Sequence, residues 1–282
     1  VCKMIIEPIF EADFEESSYG FRPERSSKDA IRAIKEYLQE GKTEVLDADM
    51  SSYFDTIPHD KLMKVLELRI ADPRIMHLIA MWLKSPIYED GQFKGGKKQK
   101  EGTPQGGVIS PLLANIYMHL VDKIVNNTKD IFHQTGIRIV RYADDFVLLG
   151  EKITEQAMKR LRSILTRMGL KLNEQKTRQV QAKDTAFNFL GFTIRYDKDI
   201  YGGNNRYWNI IPGAKSENKI REKIREFLRR YGHYNPRQVA EGLNTILRGW
   251  LNYFDIPGTS YPAMSKRAIR YYLVESQNRY KH

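Results

Sequence analysis

The stretch RIVRYADDFVLLG, residues 138–150, places the tightest condition on the fold. Two adjacent carboxylates, Asp144 and Asp145, interrupt an otherwise apolar, strand-like run. Neighbouring anions repel, and desolvating them between Val140 and Phe146 costs free energy unless positive charge is brought to them. The flanking segments IRIVRY and FVLLG read as two short strands, a hairpin with ADD at its bend. Such a hairpin needs something positive at its tip.

An Asp pair at a hairpin bend is, taken alone, ordinary turn chemistry. A second acidic strand end changes the weighting. In LDADMSSYFDTIPH, Asp49 follows the apolar residues of a strand and Asp55 comes six positions later. If the two strand ends meet, Asp49 and Asp144 converge at one sheet edge with Asp145 beside them, an all-oxygen cluster suited to Mg²⁺. The single cysteine, Cys2, excludes an internal disulfide or a Cys-rich zinc module, and the six histidines form no metal-ligand spacing. Two Mg²⁺ ions roughly 3.5–4 Å apart are a standard device for in-line phosphoryl displacement.

The 282 residues suffice for one large core or two modest domains. No run of 18 apolar residues is present, and VCKMIIEPIF lacks the layout of a signal peptide, so a soluble, cytoplasmic protein with no membrane partner is expected. Charge is unevenly spread. From Gly213 to His282 there are 14 Lys/Arg against 6 Asp/Glu, which holds +8 of the chain's net +11. Tyr, Trp and Phe interleave these cations, a composition suited to tracking a phosphate backbone and stacking on bases. The plainer reading is a solvated basic helix face.

Helical spacing is read in DAIRAIKEYLQEG (29–41), HDKLMKVLELRI, PRIMHLIAMWL after an Asp72 cap, and EQAMKRLRSILTRMG. SPLLANIYMHLVDKIV (110–125) is also helical, with Leu112, Ile116, Leu120 and Ile124 recurring every four residues. Residues 84–102 read as a hairpin with a basic tip, FNFLGFTIRY (187–196) as β, and 217–230 as the start of a basic helical region. No regular βαβ beat appears, so the expectation is α+β with an antiparallel sheet covered by helices. YGGNNRYW (201–208) reads as a turn and domain boundary.

Several of these segments together carry a resemblance. SYGFRPERS, LDADMSSYFDTIPHDKL, EGTPQGGVISPLLANIYMHLVD, YADD, GLKLNEQKT, FNFLGF and LRGWLNYF resemble, in that order, successive blocks of bacterial group II intron reverse transcriptases, also called maturases. The resemblance implies a right-hand polymerase palm with partial fingers over 1–205, and a helical basic thumb or maturase X-like region over 206–282. It implies an RNA-directed DNA polymerase that adds dNTPs to a primer 3′-hydroxyl with two Mg²⁺ ions, or Mn²⁺ as substitute. RNA template, DNA primer and a structured intron RNA are the implied partners.

By the same resemblance, Asp49, Asp144 and Asp145 match the catalytic, metal-holding carboxylates. Phe54 matches the aromatic that rejects a 2′-hydroxyl. Gln105 and Gly106 fall in the block that packs against the nascent base pair. Lys176 matches a lysine near the leaving pyrophosphate, and Phe189, Leu190 and Gly191 resemble the grip on the primer end. Lys215, Lys219, Arg221, Arg225, Arg229 and Arg248 are implied contacts to template, primer or intron RNA.

The family normally has a further N-terminal portion carrying basic finger residues, so the chain reads as an N-terminally shortened version. Arg22 and Arg25 are the nearest candidates for a triphosphate contact. Two rival readings accompany the polymerase: a catalytically poor RNA-binding splicing cofactor, and a related reverse transcriptase recruited to CRISPR spacer acquisition or phage defence.

Overall fold

The computed structural model describes residues 1–89, 92–94, 96, 99–104, 106–199 and 205–279. The polypeptide packs as two compact units, Val1–Gln181 and Ala182–His282.

In the first unit, in chain order, the elements are α1 (Cys2–Glu11), α2 (Ser27–Gln39), β1 (Glu44–Ala48), α3 (Tyr53–Thr56), α4 (His59–Glu67) and α5 (Pro73–Leu83). They continue with β2 (Ile87–Glu89), β3 (Gln92–Lys94), α6 (Ser110–Asn126), α7 (Ile131–Gln134), β4 (Arg138–Tyr142), β5 (Asp145–Gly150), α8 (Glu155–Met168) and β6 (Arg178–Gln181). Local chemistry sets several boundaries. Ser26 and Asp29 form a capping box at the start of α2, and Asp72 accepts from Arg74 N ahead of Pro73 at the first turn of α5. Gly169, at φ +77°, closes α8 in the left-handed conformation that glycine adopts at little cost.

The central sheet is antiparallel, in the order β4-β5-β1-β6. Both of its faces are buried over part of their length. Leu46, Ala48, Ile139, Phe146 and Leu148 point into the main core with residues of α1, α4, α5, α6 and α8. Val45, Val140, Val147 and Leu149 alternate with them, and the buried Ala30, Ile31, Ile34 and Leu38 of α2 pack on β4 and β5. The helix over 110–125 is present as α6, but its burial exceeds the expected stripe. Leu113, Asn115, Tyr117, Met118, His119, Val121 and Asp122 are buried as well, while Leu120 and Ile124 are only partly so. It is a central helix, covered on most sides. The hairpin read over 84–102 is present as β2–β3, and its tip lies outside the described residues.

The second unit contains β7 (Phe187–Phe189), β8 (Phe192–Lys198), β9 (Arg206–Pro212), α9 (Ala214–Tyr231), α10 (Pro236–Phe254) and α11 (Ala263–Arg279). β7, β8 and β9 form an antiparallel sheet. The stretch expected to be a boundary has its residues 201–204 outside the described residues. On either side of it β8 and β9 pair, with Lys198 opposite Arg206. Ile220, Ile224 and Leu228 form one buried stripe of α9, joined in a small core by Leu243 of α10 and Ile269 of α11. Among the described residues, no helix is long and apolar enough to cross a membrane.

Candidate active site at the end of the palm sheet

Strand register brings the two acidic segments together. Ala48 of β1 pairs with Phe146 of β5, so one step further sets Asp49 against Asp145. Tyr142 pairs with Asp145 across the β4–β5 hairpin, leaving Ala143 and Asp144 as its two-residue turn. Side chains alternate across a strand, so Asp47, Asp49, Asp145 and Val147 share one face. α2 covers the apolar end of that face; the carboxylates occupy the other end.

The segment after α8 completes the edge. Asn173 N donates to Asp49 O at 2.8 Å, Ser51 N donates to Lys171 O at 3.1 Å, and Met50 bridges Leu172. Asp49 N donates to Thr177 Oγ1 at 3.4 Å. These bonds lay the GLKLNEQKT block along the end of β1, and Lys176 Nζ comes within 3.7 Å of Asp49 Oδ2.

The electrostatics follow from this crowding. Burial, then the charges of Asp144 and Asp49, push the Asp145 carboxyl up to about 6, against the opposing pull of Lys176. Asp144 is also raised, by burial and by Asp49, while its own backbone and Arg141 pull it down. Asp47 is raised to about 6 by burial, Asp145 and Asp49, against Arg178 opposite it on β6. The sequence reading missed Asp47. The i, i+2 spacing of LDAD puts it on the same face as Asp49, and that was the available signal.

These carboxylates form a hard oxygen donor set in which each anion makes its neighbour harder to ionise, the situation a divalent cation relieves. Among the described residues they do not stand in a ready-made cluster of three ligands. A cation would have to draw them closer.

Beyond Asp49 the chain turns through Ser52, at φ +46°, into α3. Phe54 is half-buried, edge-on to Tyr53 with ring centroids 5.6 Å apart. Its carbonyl accepts from Thr103 N at 2.7 Å, which ties the EGTP segment to α3. Gly102 has φ +89°, and a Cβ there would stand 3.0 Å from Asp55 O, so a side chain would be both strained and crowded at this approach. Gly106 has φ +82°, is exposed and has open space where a Cβ would stand. Gln105 lies outside the described residues.

Arg22 has another use than the one expected. Its side chain is 3% exposed; Nε and Nη2 donate to Glu11 Oε1 at 2.8 and 2.6 Å, and Nη1 to the carbonyls of Glu15 and Ser18. A guanidinium held this way braces the loop after α1 and is not presented to a triphosphate. Arg25 pairs with Glu16.

In the second unit, Leu190 (φ +50°) and Gly191 (φ +80°) form the two-residue turn between β7 and β8, with both φ positive as tight hairpins require. Phe189 is core. Tyr253 OH donates to Leu190 O at 3.0 Å, and Ser216 Oγ to Gly191 O at 2.9 Å. On α9, Lys215, Lys219, Arg225 and Arg229 are exposed on the circumference left by the apolar stripe, while Arg221 lies 3.9 Å from Glu217. Arg248 on α10 is exposed. Trp250 packs in the small helical core with its ring 4.7 Å from Phe254.

A carboxylate-edged antiparallel sheet backed by helices defines a polymerase palm, and comparison with known proteins agrees. Residues 1–194 match the family described as reverse transcriptase (RNA-dependent DNA polymerase). The chain belongs to that family, and residues 217–277 match the group II intron, maturase-specific domain. Among its relatives, protein YkfC of Escherichia coli is 37% identical over 249 residues, which cover 76% of this chain and 64% of that protein. The group II intron-encoded protein LtrA of Lactococcus lactis is 31% identical over 289 residues, covering 80% and 47%. The chain thus spans less than two thirds of the length of these relatives. Telomerase of Candida tropicalis, solved with a fragment of telomeric RNA, superposes with a TM-score of 0.55 at 13% identity, covering 89% of this chain and 45% of the telomerase. Telomerase of Candida albicans gives 0.51 at 16% identity, covering 90% and 45%. At that identity the likeness establishes the right-hand fold alone.

Proposed function

We propose that the chain is an RNA-directed DNA polymerase of the group II intron type, which extends a DNA primer on an RNA template by adding dNTPs. One observation carries the reading: β1 and β5 pair in a register that sets Asp49 against Asp145, with Asp144 in the adjoining turn and Lys176 within 3.7 Å of Asp49.

Asp49, Asp144 and Asp145 would hold Mg²⁺, which when bound lowers the pKa of the primer 3′-hydroxyl and neutralises charge on the triphosphate. Lys176, within 3.7 Å of Asp49 on the same edge, would donate a proton to the departing pyrophosphate. Phe54, on the short helix α3 that follows Asp49, stands in the role of the ring that excludes a 2′-hydroxyl. Gly106 leaves its backbone open to close approach by a nucleotide. Residues 1–205 act as palm and partial fingers, and 206–282 as the thumb; the Leu190–Gly191 turn, held from beneath by the buried Phe189, and the cations of α9 contact the primer and template. The test is Mg²⁺-dependent extension of a DNA primer on an RNA template, abolished by Asp144→Ala and by Asp49→Ala. Extension that survives either change would remove the metal assignment.

A second role is favoured by the maturase-specific match over 217–277 and by the exposed cations of α9. The second unit would bind a structured intron RNA and assist its splicing. Binding that persists in Asp144→Ala and weakens steeply with salt is the expected result.

A further inference from the structure

The face of the sheet opposite the carboxylates holds a charge that the polymerase chemistry does not use. Arg141, on β4, pairs with Phe146 and points into the core, where it is fully buried. An isolated buried guanidinium would be severely destabilising. Here each of its five N–H groups has a partner. Nε donates to Asp122 at 2.9 Å and Nη2 to Asp122 Oδ2 at 2.6 Å, both on α6; Nη1 donates to Asn115 Oδ1 at 2.9 Å, also on α6. The remaining bonds run to Ser18 Oγ at 2.6 Å and to the backbone carbonyl of Ala143 at 2.8 Å.

That last acceptor is the informative one. Ala143 immediately precedes Asp144 and has φ +60°, a left-handed conformation that costs a non-glycine residue about 1–2 kcal/mol. The SYGF segment closes over the same turn. Arg141 N donates to Ser17 O and Tyr19 N to Arg141 O, both at 2.9 Å, and Asn115 Nδ2 donates to Gly20 O at 2.6 Å. A Cβ at Gly20 would stand 2.4 Å from Ala143 N, so this strap lies directly on the turn's backbone.

We infer that Arg141 is a positioning residue: the cation of a buried latch, formed with Asp122, Asn115 and Ser18, that fixes the Ala143 carbonyl and thereby the turn presenting Asp144 and Asp145. The catalytic consequence rests on the polymerase reading; the geometric one does not. The latch also explains the SYGF block, whose Ser18 and Gly20 are components of the hold on that turn.

The test uses the full chain and four readouts: single-turnover dNTP incorporation, primer–template affinity, Mn²⁺ affinity by electron paramagnetic resonance without nucleic acid, and hydrogen exchange over residues 142–146. Arg141→Lys keeps the charge and the ion pair with Asp122 but cannot reach all the acceptors. Displacing the turn by about 1 Å should slow incorporation by about 10²-fold while primer–template affinity stays near wild type. Mn²⁺ affinity should fall by at least about tenfold, as it does when groups supporting metal ligands are removed, and exchange at 142–146 should quicken. Asn115→Leu, which spares the ion pair, should shift the same readouts in the same direction by less; it decides the matter should Arg141→Lys not fold. Folded variants with wild-type incorporation, Mn²⁺ affinity and exchange would overturn the latch, whatever they do to melting temperature. If the wild-type chain fails to extend a primer, the polymerase reading falls, and Mn²⁺ affinity and exchange still decide the latch.

Discussion

Lys176 Nζ lies 3.7 Å from Asp49 Oδ2, joining a loop after α8 to the end of β1 across a long separation in sequence. Lys176 is 68% exposed on its side chain, so the contact adds little to stability and leaves the ammonium free to turn toward a ligand. Replacing it with Ala should leave the fold intact and lower the rate of dNTP incorporation by about 10²-fold, the usual scale for a general acid, with a smaller change in dNTP affinity. Single-turnover incorporation across a dNTP series separates the two.

The carboxylate edge predicts a pH dependence of stability. Asp47 has a folded-state pKa raised to about 6, above the unfolded value of about 4, so the folded state binds the extra proton between those values. Its burial therefore destabilises the protein above about pH 6, and that penalty disappears as pH falls toward about 4. Asp47→Asn should raise the melting temperature at pH 7.5 in chelator, with the gain shrinking to nothing by about pH 4. Melting curves of both proteins across that range check the sign.

If Phe54 excludes the 2′-hydroxyl, trimming its ring opens that space. Phe54→Val should raise the ratio of rNTP to dNTP incorporation by about 10–10²-fold, the range a few removed methylenes command in an apolar pocket. Half-buried as it is, the side chain should also cost some stability on truncation, so competing-substrate assays are best run well below the melting temperature.

The exposed cations of α9 should act on nucleic acid through phosphate neutralisation. Lys219→Glu and Arg225→Glu should each weaken RNA binding without sequence preference and reduce the slope of log affinity against log salt by about 1. Filter binding over a salt series measures it, and the change should leave thermal unfolding close to wild type because neither side chain faces the apolar stripe.

Gly102 and Gly106 separate two reasons for glycine in one loop. Gly102→Ala should destabilise the chain, because φ +89° is combined with a Cβ only 3.0 Å from Asp55 O. Gly106→Ala meets open space, and φ +82° alone should cost about 1 kcal/mol. Its effect should appear chiefly as weaker dNTP binding, read from the concentration dependence of incorporation.

Elements governed by neighbouring residues were legible. The Asp72–Pro73 start of α5, the Gly169 stop of α8 and the β4–β5 hairpin follow from caps, turns and alternation that act over a few positions. The convergence of Asp49 with the YADD turn could be posed only as a condition, since it depends on which strands pair. The near-complete burial of α6 escaped because a fourfold apolar recurrence specifies one covered stripe and carries no information about further layers. The partner of Arg22 was hidden for the same reason: Glu11 is brought to it by the path of the loop.

By itself, then, the amino-acid order determined the hairpin, its acidic tip, the basic C-terminal helices and, through a succession of blocks, the family. Tertiary structure alone decided how deeply the acidic edge is buried and that Arg141, a cation in an otherwise largely apolar strand, is sealed beneath it with Asp122, Asn115 and Ser18. Pairwise electrostatics and hydrogen bonding act over a few ångströms in space, and only folding makes residues from separate segments neighbours on that scale.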